Sequence, residues 1–302
     1  MKRFCLLSLC SLLLSTACQQ QPQTANTALQ EELDTYLHAQ RATVGVSVLT
    51  DSTALVSRND SLELPLLSVF KFPVALAVLH RMEQQGTPLD TVFHLTPDDL
   101  KTGTYSPLCL RFPERKADVR MDSLLAYSVS LSDNNACDVL LHYAGGPQAV
   151  EHYVRSLGIT DMHISASEDD MHQQHERVYD NRATPTAVSR LFRLFLQKGL
   201  VAPVYRDYLH QILTQTSTGT NKLKAGLPDS ITLGHKTGSS DRTPEGARIA
   251  DNDAGFVILP DGRRYYITVL VNNSMENDST NAAISAAVSQ MVYRHLTSQS
   301  AK

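Results

Sequence analysis

Three short strings in this chain bring together side chains that could do nucleophilic chemistry: hydroxyls, an amide and two lysines. Ser68-Val69-Phe70-Lys71 sets a serine and a lysine three residues apart, where apolar residues (Phe70, Val74, Leu76, Leu79, Met82) begin to recur at helical spacing. On a helix, positions i and i+3 share a face, so the ammonium can reach the hydroxyl. A cation there lowers the cost of a serine alkoxide, and a neutral lysine could itself take the proton. The helix start adds backbone donors where an oxyanion would form. Ser132-Asp133-Asn134 lies between two helical stretches, and His235-Lys236-Thr237-Gly238 lies on a strand-like one. Each string also has a plain structural explanation: an exposed lysine over a helix cap, an N-cap for the helix opening at Asn134, an edge strand guarded by a lysine. The three together, in this order and in these contexts, outweigh those explanations.

The elements around them follow from periodicity. Residues 28–40 carry Leu29, Leu33, Tyr36 and Leu37 on one helical face. Residues 43–49 alternate Val44, Val46 and Val48 as a half-buried strand, with 53–57 as a hairpin partner. Helices are expected over 68–85, 122–129, 134–143, 147–158, 185–199 and 203–213, several of them opened by proline and closed by glycine. Strands follow at 231–237, 255–259 and 264–271, then a helix over 280–296. Residues 164–183 show no period, and a polar loop of that length inside a compact chain is usually functional. The expected fold is α+β: an antiparallel sheet and flanking helices from both chain ends (28–64 and 215–302), with an all-helical lobe (65–214) inserted between them. A cleft between the two is the natural place for chemistry.

The first residues describe export. Lys2 and Arg3 precede a mostly apolar run, 4–14, of signal-peptide length and too short to span a bilayer. Residues 1–17 are expected to be removed and 18–27 to be a linker. Small residues before Cys18 resemble a bacterial lipoprotein signal, although Ser15 stands where a leucine is usual, so the expected location is periplasmic with a lipid on Cys18. The whole chain has 27 basic and 31 acidic side chains; without Lys2 and Arg3 the balance is 25 to 31. An acidic chain with no basic cluster is a poor partner for nucleic acid. Cys109 and Cys137 could pair in an oxidising compartment, but two buried thiols are the favoured reading.

As a set, the three motifs resemble the serine–lysine acyl-transferases, the class A β-lactamases and penicillin-binding proteins. The first of these add a glutamate on a long loop between the second and third motifs, and Glu168 lies in the unpatterned 164–183 segment. The resemblance runs from about Thr43 to the C-terminal helix. It implies β-lactam substrates, no metal or other cofactor, and a monomer. Ser68 would attack the lactam carbonyl, whose oxygen the amides of Ser68 and Ser239 would hold. Lys71 or Glu168 would take the Ser68 proton, Ser132 would relay one to the lactam nitrogen, and Glu168 would activate the deacylating water. Tyr105 would line the cleft, with Asn134 also facing substrate, and Lys236, Thr237 and Lys222 would bind the substrate carboxylate.

Four positions depart from the common family pattern. His172 and Asp138 stand where asparagines are usual, as in a branch rich in cephalosporinases and extended-spectrum enzymes. Ala166 and Asn181 replace the arginine–aspartate pair that clamps the neck of the catalytic loop, and residues 239–252 look longer than usual. Both features suggest a wider cleft and a preference for cephalosporins. The pair His172 and His175, beside Glu176, could instead suggest a metal, but no further ligand has suitable spacing. The rival functions are a D,D-peptidase using the same motifs and a β-lactam sensor that stays acylated. Glu168 argues against the first. The second needs a signalling partner or spanning segment, and the sequence offers neither.

Overall fold

Alternation along the Thr43–Thr50 strand sends Val44, Val46 and Val48 into one core while Gly45 and Ser47 face the other way. A side chain at Gly45 would come within 2.7 Å of Pro185 Cγ and 2.6 Å of Leu64 Cδ1, so the missing Cβ lets the Pro185–Gln197 helix lie flat on this face. Ser47 Oγ and Thr186 Oγ1 meet there at 2.9 Å. The computed structural model describes residues 21–298; the expected signal segment and Cys18 lie outside them.

Among the described residues five antiparallel strands form the main sheet, in the spatial order Ala54–Arg58, Thr43–Thr50, Arg264–Ser274, Arg248–Ile258, Thr232–Ser239. The third-motif strand is therefore an edge. Helices Gln21–His38 and Asp278–Ser298 cover one face, with Leu29, Leu33 and Leu37 packed among Ile284, Val288 and Val292. The helical lobe covers the other. Phe72 stacks on Phe192 (centroids 3.9 Å apart, planes 5° apart), with Phe195 and Phe256 around them. Burying one such ring is worth about 1.5–3 kcal/mol, so the Lys71–Gln85 helix that follows Ser68 is firmly anchored to the sheet.

The α+β arrangement is the one expected, with four local differences. The N-terminal helix begins at Gln21, inside the expected 18–27 linker, because Pro22 falls in its first turn, where a missing amide donor is tolerated. The middle lobe is not wholly helical: Val92–Leu95 pairs with Ala117–Arg120. Its strands are four residues each, too short for alternation to show. The strand expected at 255–259 begins at Arg248, because its polar run Asp251-Asn252-Asp253 finds buried partners. Residues 164–183 hold a short helix, Glu168–Gln173, and a 3₁₀ turn, His175–Tyr179. The loop's two ends are tied by pairing of Met162–His163 with Arg182–Ala183, and of the latter with Leu64–Pro65.

Candidate active site

Ser68 sits in a 3₁₀ turn, Leu67–Phe70, that runs straight into the Lys71–Gln85 helix. Leu67, just before it, has φ +46°. A non-glycine residue held there costs about 1–3 kcal/mol and persists only where its surroundings fix it. They do so here: Asn252 Nδ2 donates to the carbonyls of Pro65 (2.8 Å) and Leu66 (3.2 Å), and the Leu66 amide donates to Asn181 O (2.8 Å). The edge strand closes on the same turn. A Cβ on Gly238 would lie 2.5 Å from Leu66 O and 3.0 Å from the Ser68 nitrogen, so only glycine permits this approach. The Ser240 amide donates inward to Ala250 O (3.0 Å), so strand alternation turns the Ser239 amide to the free edge, on the Ser68 side.

Groups from three distant segments gather around Ser68 and Lys71. The Ser68 hydroxyl donates to Glu168 Oε1 (3.4 Å), and Lys71 Nζ lies 2.9 Å from the same oxygen. Lys71 is fully buried and also donates to Ser132 O and Asn134 Oδ1, both at 2.7 Å, so its three N–H groups have three acceptors. Ser132 is itself held at φ +60°. Its hydroxyl accepts from Lys236 Nζ at 2.8 Å. Burial and then the Lys71 charge hold the Lys236 ammonium well below the ordinary lysine range. Thr237 Oγ1 meets Thr218 Oγ1 at 2.7 Å.

The 164–183 loop that carries Glu168 is pinned without an ion pair between positions 166 and 181. Asn181 Oδ1 accepts the amides of Ser165 (2.9 Å) and Ala166 (3.0 Å), and its Nδ2 donates back to Ala166 O (2.9 Å). One buried amide thus clasps the neck. Ser167 and Asp170 form a capping box at the start of the Glu168–Gln173 helix. Asp138 reaches from the Asn134–Ala144 helix to accept the amides of Glu168 (2.8 Å) and Asp169 (2.9 Å). Burial first, and the Glu168 charge second, push the Asp138 carboxyl up to about 7.

The β-lactamase enzyme family model matches residues 28–296. The chain belongs to the class A serine β-lactamases. A β-lactamase of Bacteroides uniformis is 46% identical over 266 residues, covering 88% of this chain and 90% of that one. The extended-spectrum β-lactamase PER-1 of Pseudomonas aeruginosa is 33% identical, covering 88% and 86%. A solved class A β-lactamase from Bacteroides cellulosilyticus superposes with TM-score 0.89 at 45% identity, covering 93% of this chain and all of that one.

Other expected residues of this β-lactamase are placed less simply. Tyr105 stands exposed, and its carbonyl accepts the Asn134 amide (3.0 Å). Asn134 also donates to Thr104 Oγ1 (2.8 Å), so its side chain bridges Lys71 and the Thr104 segment. His172 lines a small cavity of about 90 Å³ with Glu168, Asn134 and Asp138. Lys222, expected to face the substrate carboxylate, is instead buried against Asp251 at 2.7 Å and donates to Ser239 Oγ and Asn252 O. Cys109 and Cys137 are both free thiols; Cys137 is buried, whereas Cys109 is only partly so. Among the described residues no three His, Cys, Asp or Glu side chains gather as a metal set. Thr218, Asp251 and Asn252 were not singled out by sequence. The polar run 251–253 was the available signal, and it reads as loop until its partners are known.

Proposed function

We propose that this enzyme hydrolyses β-lactams through an ester on Ser68, with Glu168 as the base for both its formation and its release. The observation that carries this reading is the convergence of Ser68 Oγ and Lys71 Nζ on one Glu168 oxygen, at 3.4 and 2.9 Å. With all three Lys71 N–H groups already donating, Glu168 is the group with room to take the Ser68 proton. Ser68 Oγ attacks the lactam carbonyl carbon, and the amides of Ser68 and Ser239 hold the oxyanion. The C–N bond then breaks, and the nitrogen takes the Ser132 proton, which Lys236 replaces across 2.8 Å. The proton that Glu168 took from Ser68 returns through solvent to Lys236, so Glu168 is a carboxylate again before water attacks. Water next attacks the ester while Glu168 accepts its proton, and Ser68 leaves with a proton restored. Lys236 and Thr237, with Thr218, bind the substrate carboxylate.

Cephalosporins, including oxyimino ones, are the favoured substrates in this reading. It is supported by the hairpin after the motif strand, where Arg242 (2.5 Å) and Arg248 (2.8 Å) both reach Asp278 and tie the turn to the first residue of the C-terminal helix. The extended-spectrum name of PER-1 points the same way. Export with a lipid on Cys18 is proposed from the sequence alone.

Intact-protein mass spectrometry tests the division of labour. Ser68→Ala should abolish turnover and form no adduct, whereas Glu168→Ala should accumulate the acyl-enzyme, since loss of a general base typically costs about 10²–10⁴-fold. Rapid multiple turnover by Glu168→Ala refutes the assignment, and a long-lived wild-type ester would favour a sensor.

A further inference from the structure

Asp251 lies directly opposite Ser239 in the register of the two strands and is 6% exposed. Its Oδ1 accepts the Ser239 hydroxyl at 2.6 Å and pairs with Lys222 Nζ at 2.7 Å. The same ammonium donates to Ser239 Oγ at 3.0 Å and to Asn252 O at 3.2 Å. Every N–H of Lys222 is therefore used, and the Ser239 hydroxyl donates on one side while accepting on the other. The ring is closed. A lysine in this position could otherwise offer its charge to the substrate carboxylate, because Ser239 lies two residues from Thr237, on the same face of the strand. With a buried carboxylate 2.7 Å away, the two fields largely cancel.

We propose that Asp251 is a positioning and specificity-determining residue: it locks Lys222 and the Ser239 side chain into one neutral unit beside the carboxylate-binding row. Lys236, Thr237 and Thr218 are then left to hold the substrate carboxylate, and the end of the edge strand is fixed where the Ser239 amide faces the reacting carbonyl. This rests on the carboxylate-binding row proposed above. Asp251 acts through Lys222 and Ser239 and touches no reacting atom.

The test is kcat and KM for benzylpenicillin, at low and high salt, in Asp251→Asn, Lys222→Met, the double variant and Lys236→Ala. Asp251→Asn uncovers the Lys222 cation, so KM should fall about threefold or more, with the gain shrinking as salt screens it. Its kcat should fall modestly, because the Ser239 hydroxyl exchanges a charged acceptor for a weaker neutral one. Lys222→Met leaves an unpaired buried anion beside the row, and KM should rise about tenfold. Removing both charges should bring KM back down from the Lys222→Met value. A lysine that binds substrate directly gives the opposite pattern: no fall in KM for Asp251→Asn, and a double variant as impaired as Lys222→Met. That result overturns the proposal. If Asp251→Asn does not fold, the comparison of Lys222→Met with the double variant decides alone. Lys236→Ala separates the two levels. If it leaves KM unchanged, the carboxylate row is wrong and the proposal falls with it; if it raises KM while the Asp251 variants show the opposite pattern, only the role of Asp251 is refuted.

Discussion

Replacing Asp138 with asparagine separates a charge from a pair of hydrogen bonds under the catalytic loop. The carboxylate accepts two amides, from Glu168 and Asp169, one on each oxygen. Asparagine offers one oxygen, so one N–H is left facing an NH₂ group, a cost of about 1–3 kcal/mol that does not depend on pH. The charge contribution does depend on it. Asp138 titrates near 7 in the folded protein, against an ordinary value of 3.8. A raised folded value means that folding favours the protonated form. Its stabilising contribution is fully present below the unfolded value and is lost as pH rises through about 7. Between pH 5 and pH 8 the wild type should therefore lose roughly 2 kcal/mol that Asp138→Asn does not, after allowing for the water that reaches part of this side chain. Urea unfolding of both proteins at several pH values measures it. The variant should be the less stable at pH 5 and should close or reverse the gap by pH 8. A stability difference that stays constant to within about 0.5 kcal/mol across this range would refute the reasoning.

Asn181→Ala removes the acceptor of two amides and the donor to a third group, so it should cost about 2–4 kcal/mol and lower Tm by several degrees in thermal unfolding. For substrate range, kcat/KM for cefotaxime should be comparable with or above that for benzylpenicillin; a ratio several orders of magnitude below one would show that the altered loop neck and the tied hairpin do not admit an oxyimino side chain. Cys18→Ala should move the enzyme from the membrane fraction to the soluble fraction with kcat/KM unchanged, and a wild-type protein already soluble with an unmodified N-terminus would refute lipidation.

Much of this enzyme was legible as local pattern. The alternating valines at 44, 46 and 48, the proline-opened helices and the spacing of Ser68 to Lys71 each report a constraint that acts within a few residues, and each was placed correctly. The motifs also kept their contexts: a turn entering a helix, a helix cap, and an edge strand. What sequence alone could not supply was how distant polar groups satisfy one another. Asp251-Asn252-Asp253 fell outside the strand expected at 255–259, because three polar residues in a row are costly to bury without partners. Tertiary structure provided those partners: Lys222 for Asp251, the Pro65 and Leu66 carbonyls for Asn252, and His235 at 2.8 Å for Asp253. The absent clamp at 166 and 181 was visible as an absence, but its replacement by one asparagine grasping backbone amides depends on where the neck of the loop is folded. Lys222 shows the same limit most plainly. Its identity permitted a role toward substrate, and only the position of a carboxylate 29 residues on (251 − 222), across two strands, decided where its charge is directed.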